Sequence, residues 1–181
     1  LGGAGLAAAV RGPGALAAGA MAAAGSAAPH DPEMAPPPPA GAGTLSAGDA
    51  VGAQLVRGDV DFTAIGTVTS VDGSRVMAFG HPFLQLGEVD YPMVKARVAT
   101  LLPSLESSFK IGAALETVGA FTQDRASGLA GQLGARAQTI PVHIDLQREG
   151  SPGRSFSYEV VDDPILTPVL LYLTLGGILE T

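Results

Sequence analysis

A chain of 181 residues with 46% hydrophobic side chains is long enough for one domain with a core plus an appendage. A formal charge of -7, with ten basic residues thinly spread as eight Arg and two Lys, excludes a nucleic-acid surface and a polybasic membrane patch. The absence of cysteine excludes disulfides and thiolate sites. His30, His81 and His143 are scattered without ligand spacing, so neither metal nor cofactor is expected.

The chain opens at Leu1 rather than methionine and so reads as a fragment or processed product. Residues 1–45 are Ala-, Gly- and Pro-rich, with a Pro36 to Pro39 run and only Arg11, Asp31 and Glu33 as charges. So few large apolar side chains cannot offset the entropy of ordering the segment, which reads as a disordered linker with a stiff proline stretch. A short helix over Ala15 to Ala24 is the competing reading. A signal peptide is disfavoured, because a basic cluster and a long Leu/Val core are both missing.

Strand-like alternation begins at Gly48. Val51, Ala53 and Leu55 share one face, Arg57-Gly58-Asp59 is read as a turn rather than a displayed adhesion triplet, and Val60, Phe62 and Ala64 resume the period of two. Asp72-Gly73, between Thr67 to Val71 and Ser74 to Phe79, is the strongest hairpin signal. Its second arm runs into Gly80-His81-Pro82. Gly80 permits a backbone angle closed to other residues and Pro82 restricts His81, so the backbone sets the imidazole's pose. A histidine so held can serve as a general base near neutral pH; the plain alternative is a turn residue bonded to a neighbouring carbonyl.

Tyr91 to Leu102 predicts strand, with Pro92 at an edge or bulge. Ser104, Ser107 and Ser108 lack the context of a nucleophile. Glu116 to Phe121 predicts a strand, and Gly128 to Gly134 a loop or close backbone approach that matches no phosphate-binding motif. Ile140 to Leu146 and Ser155 to Val161 alternate as a hairpin around a Gly150 to Gly153 turn, with His143 and Asp145 on its solvated face. Asp163-Pro164 and Thr167-Pro168 are helix-start signals before the apolar run Val169 to Leu179, a short buried helix below the ~20 residues of a membrane span. The expected fold is thus mainly β, an antiparallel barrel-like domain from about Ser46 to Asp163 with one C-terminal helix. Periodicity does not separate a barrel from a sandwich.

Gly80-His81-Pro82, preceded by Ala64-Ile-Gly-Thr-Val-Thr69 and followed by Ser107-Ser108-Phe109-Lys110-Ile111 and Gly119-Ala-Phe-Thr-Gln-Asp-Arg125, resembles the SpoIVB-type S55 peptidase domain. These are bacterial serine endopeptidases of sporulation signalling. The resemblance covers roughly Ala47 to Thr167, making residues 46–181 a partial peptidase domain. It implies a trypsin-like architecture, a cell-envelope or secreted location, a protein or peptide substrate, and His81 as the catalytic base. The family's nucleophile lies in a Gly-Met-Ser-Gly-Ser-Pro-like segment that these residues lack, so the serine is expected outside them, on the missing half of the same protein, and the 181 residues alone are expected to be inactive. The family's triad acid sits in an Asp-Pro sequence that Asp163-Pro164 matches at an altered spacing, with Asp124 and Asp145 as rivals. The competing class is a non-catalytic envelope scaffold or peptide-binding β module.

Overall fold

A computed structural model describes residues 22–23, 44–102, 109–148 and 152–180. The linker assigned to residues 1–45, the serines at 104, 107 and 108, and the tip of the Gly150 turn therefore lie almost wholly outside the described residues. The elements are β1 (Ala22–Ala23), β2 (Ala50–Gly58), β3 (Phe62–Asp72), β4 (Arg75–Ala78), β5 (Gly87–Leu102), β6 (Phe109–Arg125), β7 (Gly128–Leu133), β8 (Thr139–Leu146), β9 (Arg154–Val161) and α1 (Leu166–Leu179).

Among the described residues the chain is mainly antiparallel β, and six strands close on themselves. β2 pairs with β3, β3 with β4, β4 with β7, β7 with β6, β6 with β5, and β5 returns to β2. Closure removes the free edges that an open sheet of this size would expose. The β8–β9 hairpin joins the ring from outside, through Val56–Val160 and Gly58–Tyr158 partners. β1 adds a two-residue pairing to the start of β3.

The alternation in the sequence explains the core. Val51, Val76, Tyr91, Met93, Val118 and Phe121 are all fully buried. Each such side chain contributes about 1.5–3 kcal/mol over exposure, which dominates the favourable side of folding. The Asp72-Gly73 hairpin forms as its residues dictate, with Asp72 opposite Arg75 and Gly73 at φ 56°. Pro92 lies within β5, one residue past the Met93–Ala53 partner pair at which β2 and β5 part.

Three local readings change. The Arg57-Gly58-Asp59 triplet is partly strand: β2 runs through Gly58 and the bend that reverses the chain into β3 begins only at Asp59, while Arg57 pairs with Glu159 at 3.0 Å and Asp59 accepts the Ser157 amide at 2.7 Å. The triplet is thereby tied to β9. Gly128–Leu133 is a strand rather than a loop, its backbone supplying the link between β4 and β6, and the close backbone approach is present at Gly128 against Ala78 and at Gly131 against Ala120. The C-terminal helix starts earlier, at Leu166, and is not buried. Leu170, Thr174 and Ile178 are covered and Leu166 and Leu171 pack half-buried against the core, while Tyr172 is 78% exposed. No helix among the described residues is long and apolar enough to cross a membrane.

Candidate functional site

The site is built on the segment between β4 and β5. β4 ends at Ala78, and the next two residues both take left-handed backbone angles, Phe79 at φ 74° and Gly80 at φ 71°. Glycine adopts that angle freely; a bulky aromatic does so at a cost of about 1–3 kcal/mol and only where its surroundings hold it there. Several contacts hold Phe79. Its amide donates to the Thr67 carbonyl at 2.8 Å. Its ring meets those of Phe83 and Phe121 at centroid distances of 5.7 and 6.3 Å, and that of His81 at 5.8 Å. Gly66 lies so close that a Cβ there would overlap the Phe79 ring.

His81 follows, exposed, with Nδ1 2.9 Å from the Pro82 carbonyl oxygen. A carbonyl can only accept, so the bonded neutral ring carries its proton on Nδ1 and its lone pair on Nε2. The same bond orients the ring, as a second partner on a catalytic imidazole does. The local carbonyl contact anticipated from the turn is thus present, and it leaves Nε2 without a partner among the described residues.

Beneath the loop lies Asp124, fully buried near the end of β6. Its Oδ2 accepts the Leu84 amide at 2.8 Å and its Oδ1 the Phe83 amide at 3.3 Å. Two amides that a loop cannot pair with a strand are satisfied by one carboxyl group, which clamps the chain just after Pro82. Phe83 in turn stands edge-on to Tyr91, 6.4 Å between centroids. The Tyr91 hydroxyl is buried without a hydrogen-bond partner among the described residues, and burial, then the fields of Asp163 and Asp124, raise its pKa above the ordinary phenol range.

The three carboxylates considered for the acid are separated by structure. Asp124 grips the loop that carries His81. Asp163 caps α1: its Oδ1 accepts the amides of Ile165 and Leu166, both at 2.8 Å, and its own amide donates to Thr167 Oγ1 at 2.9 Å. Asp145 lies exposed on β8, where the Ser155 hydroxyl, and more weakly His143, hold its carboxyl below the usual range. None of the three hydrogen-bonds His81 among the described residues, nor do any three His, Cys, Asp or Glu side chains there gather as a metal-ligand set.

The sequence segments quoted for the family resemblance meet at this loop. Gly66 and Thr67 come from the first, Phe121 and Asp124 from the last, and Lys110, from the segment between, donates to Thr67 Oγ1. Sequence reasoning missed Tyr91 and the aromatic chain from His81 through Phe79 and Phe83. Its only signal was the density of aromatics, since three of the six Phe and one of the three Tyr enter this cluster. No family model, no curated protein and no solved structure matches this chain.

Proposed function

We propose that these residues form the histidine-bearing part of a serine endopeptidase, in which His81 is the general base and the nucleophilic serine belongs to a segment outside the 181 residues. His81 Nε2 would take the proton of the serine hydroxyl as it attacks a peptide carbonyl and return it to the leaving amine. The observation that carries the reading is the imidazole itself, exposed at the end of a strained, clamped loop, with Nδ1–H tied to Pro82 and Nε2 without a partner among the described residues. Strain at a loop this well held is characteristic of functional sites. The closed antiparallel ring is compatible with the trypsin-like architecture implied by the resemblance, since chymotrypsin-type triads are also carried on β-barrels.

The acid that stabilises the imidazolium is part of the same proposal. Asp163 uses Oδ1 to cap the helix and has no hydrogen bond at Oδ2 among the described residues, and Asp124 is the carboxylate bonded to the loop. The second reading, a non-catalytic peptide-binding β module, draws on one fact: the His81 Nδ1 partner is a carbonyl rather than a carboxylate.

The test is peptide cleavage by protein expressed from the full reading frame. His81→Ala should lower turnover by at least about a thousandfold with the fold intact, in line with loss of a triad member. Proteolysis by the 181 residues alone, or undiminished proteolysis by the full-length variant, would overturn the assignment. A frame with no Ser in a Gly-x-Ser-Gly-Ser-Pro-like context would favour the binding module.

A further inference from the structure

The outer face of the β8–β9 hairpin brings a serine, a histidine and an aspartate into one hydrogen-bonded row. The register sets His143 opposite Ser157 and Asp145 opposite Ser155, and the alternation that turns Ile144 and Tyr158 inward turns these four outward. His143 Nδ1 lies 2.9 Å from the Ser157 hydroxyl. His143 Nε2 lies 3.3 Å from Asp145 Oδ1, which also accepts the Ser155 hydroxyl at 2.6 Å.

Proton placement follows from the acceptor at the end of the row. A carboxylate can only accept, so the neutral ring bonded to Asp145 carries its proton on Nε2 and its lone pair on Nδ1. Ser157 is then the donor, its hydroxyl proton aimed at an imidazole nitrogen. That is the order of a nucleophile, a base and the acid that orients the base, and the 2.9 Å contact lies within the ~2.6–3.2 Å that proton transfer needs. The backbone under the serine is fixed: its N–H donates to Asp59 Oδ2 at 2.7 Å and its carbonyl accepts the Asp59 amide at 3.0 Å. The next side chain, Tyr158, is fully buried with its hydroxyl 2.7 Å from Thr174 Oγ1. A reactive group on a rigid hairpin keeps its geometry better than one on a loop.

The surroundings restrict the chemistry. Because the Ser157 N–H is committed to Asp59, that residue supplies no donor for a tetrahedral oxyanion, a contribution worth about 10²–10³ in rate where such a donor is present. This suits aryl esters, whose leaving groups depart readily, rather than peptide bonds. The carboxylates of Asp59, Asp145 and Glu159 on this stretch of sheet face one guanidinium, that of Arg57, already paired with Glu159, which disfavours an anionic acyl donor. The side chains of His143 and Asp145 are both more than half exposed, so an ester reaches the row without any opening of the fold.

We propose that Ser157, His143 and Asp145 form a second nucleophilic centre, which takes the acyl group of an uncharged activated ester. Ser157 Oγ bonds to the acyl carbon as its proton passes to His143 Nδ1, the bond to the phenol oxygen breaks with its electron pair, and the imidazolium returns the proton to the phenolate. Water then attacks the acyl-serine by the same route, releasing the acid and restoring the hydroxyl. The centre is independent of the peptidase reading, which needs His81 and a serine outside the 181 residues.

The experiment treats the 181-residue chain with para-nitrophenyl acetate and locates acetyl groups by peptide mapping against time. Ser157 should be acetylated faster than any other serine, its neighbour Ser155 included. His143→Gln, an exposed change, should slow acetylation of Ser157 at least about a hundredfold, the lower value for a general base. Asp145→Asn, which keeps an acceptor but not the charge, should slow it less. His81→Ala should leave it unchanged, which separates this centre from the peptidase site. Acetylation of Ser157 no faster than that of Ser155 overturns the proposal. So does an unchanged rate in His143→Gln, or a loss in His81→Ala as large as in His143→Gln.

Discussion

Gly66 of β3 lies directly against the ring of Phe79, with no room for a Cβ between them. Phe79 precedes Gly80 and His81 in a left-handed conformation, so a methyl group on β3 would press on the residue that sets the imidazole's position. Gly66→Ala should lose about 1–3 kcal/mol, the usual penalty for overpacking, and should move the His81 ring signals in NMR spectra. Adding Phe79→Leu to Gly66→Ala should recover part of the loss. Strict additivity of the two changes in urea denaturation would show that the contact does not couple the sites.

Asp124 is the second support, and its removal is distinguishable from its neutralisation. Asp124→Ala leaves the Phe83 and Leu84 amides buried without an acceptor, at about 1–3 kcal/mol for the orphaned groups. Asp124→Asn retains a carbonyl oxygen for the shorter bond and should cost less. Hydrogen exchange at Leu84 should accelerate strongly in the alanine variant and modestly in the asparagine variant; equal protection in both would deny the clamp.

The strands were legible because burial in this chain follows a period of two over long stretches. In β8, residues 140, 142, 144 and 146 are half-buried while 141, 143 and 145 are exposed, as alternation requires. The hairpin at Asp72-Gly73 was legible from its turn chemistry. A barrel-like closure was expected and a ring is present, but the pairings that make it were not legible, since closure depends on β2 pairing with both β3 and β5 and periodicity carries no information on partners. The exposure of α1 was hidden for a related reason: a run of Leu, Val and Ile reads as buried all round, whereas the helix buries one face, Leu170, Thr174 and Ile178 with Leu166 and Leu171 beside them, and leaves the other to solvent. The backbone that sets the pose of His81 was legible from Gly80 and Pro82, local signals both. Asp124 could be ranked above Asp145 only once the backbone put it 2.8 Å from an amide forty residues away.

Asp163 separates a structural from a catalytic role by choice of substitution. Asp163→Ala removes the acceptor of the Ile165 and Leu166 amides and should destabilise the fold by about 0.5–2 kcal/mol, the range for a lost helix cap. Asp163→Asn, an equally good cap, should hold stability within about 0.5 kcal/mol of the parent. If the carboxylate also serves His81, full-length Asp163→Asn should fold normally and lose turnover by orders of magnitude. Normal turnover in that variant would leave helix capping as the role of Asp163.

Tyr91 carries a buried hydroxyl with no partner among the described residues, so removing it should reverse the usual sign of a polar deletion. Tyr91→Phe keeps the ring that stands edge-on to Phe83 and eliminates an unsatisfied group. The variant should match the parent in stability or exceed it by about 1 kcal/mol. The pH dependence follows from the direction of the shift. Burial and the two nearby carboxylates raise the folded-state pKa of Tyr91 above that of an unfolded chain, about 10. The folded state therefore holds the proton more tightly, and the corresponding stability is fully present below pH 10 and is lost progressively as pH rises above it. Urea denaturation between pH 8 and pH 11 should show this alkaline loss in the parent, with a smaller slope in Tyr91→Phe. Ionisation followed by ultraviolet absorbance should leave one of the three tyrosines silent until the chain unfolds. Titration of all three in the folded protein near pH 10, or the same alkaline slope in parent and variant, would remove Tyr91 from the account.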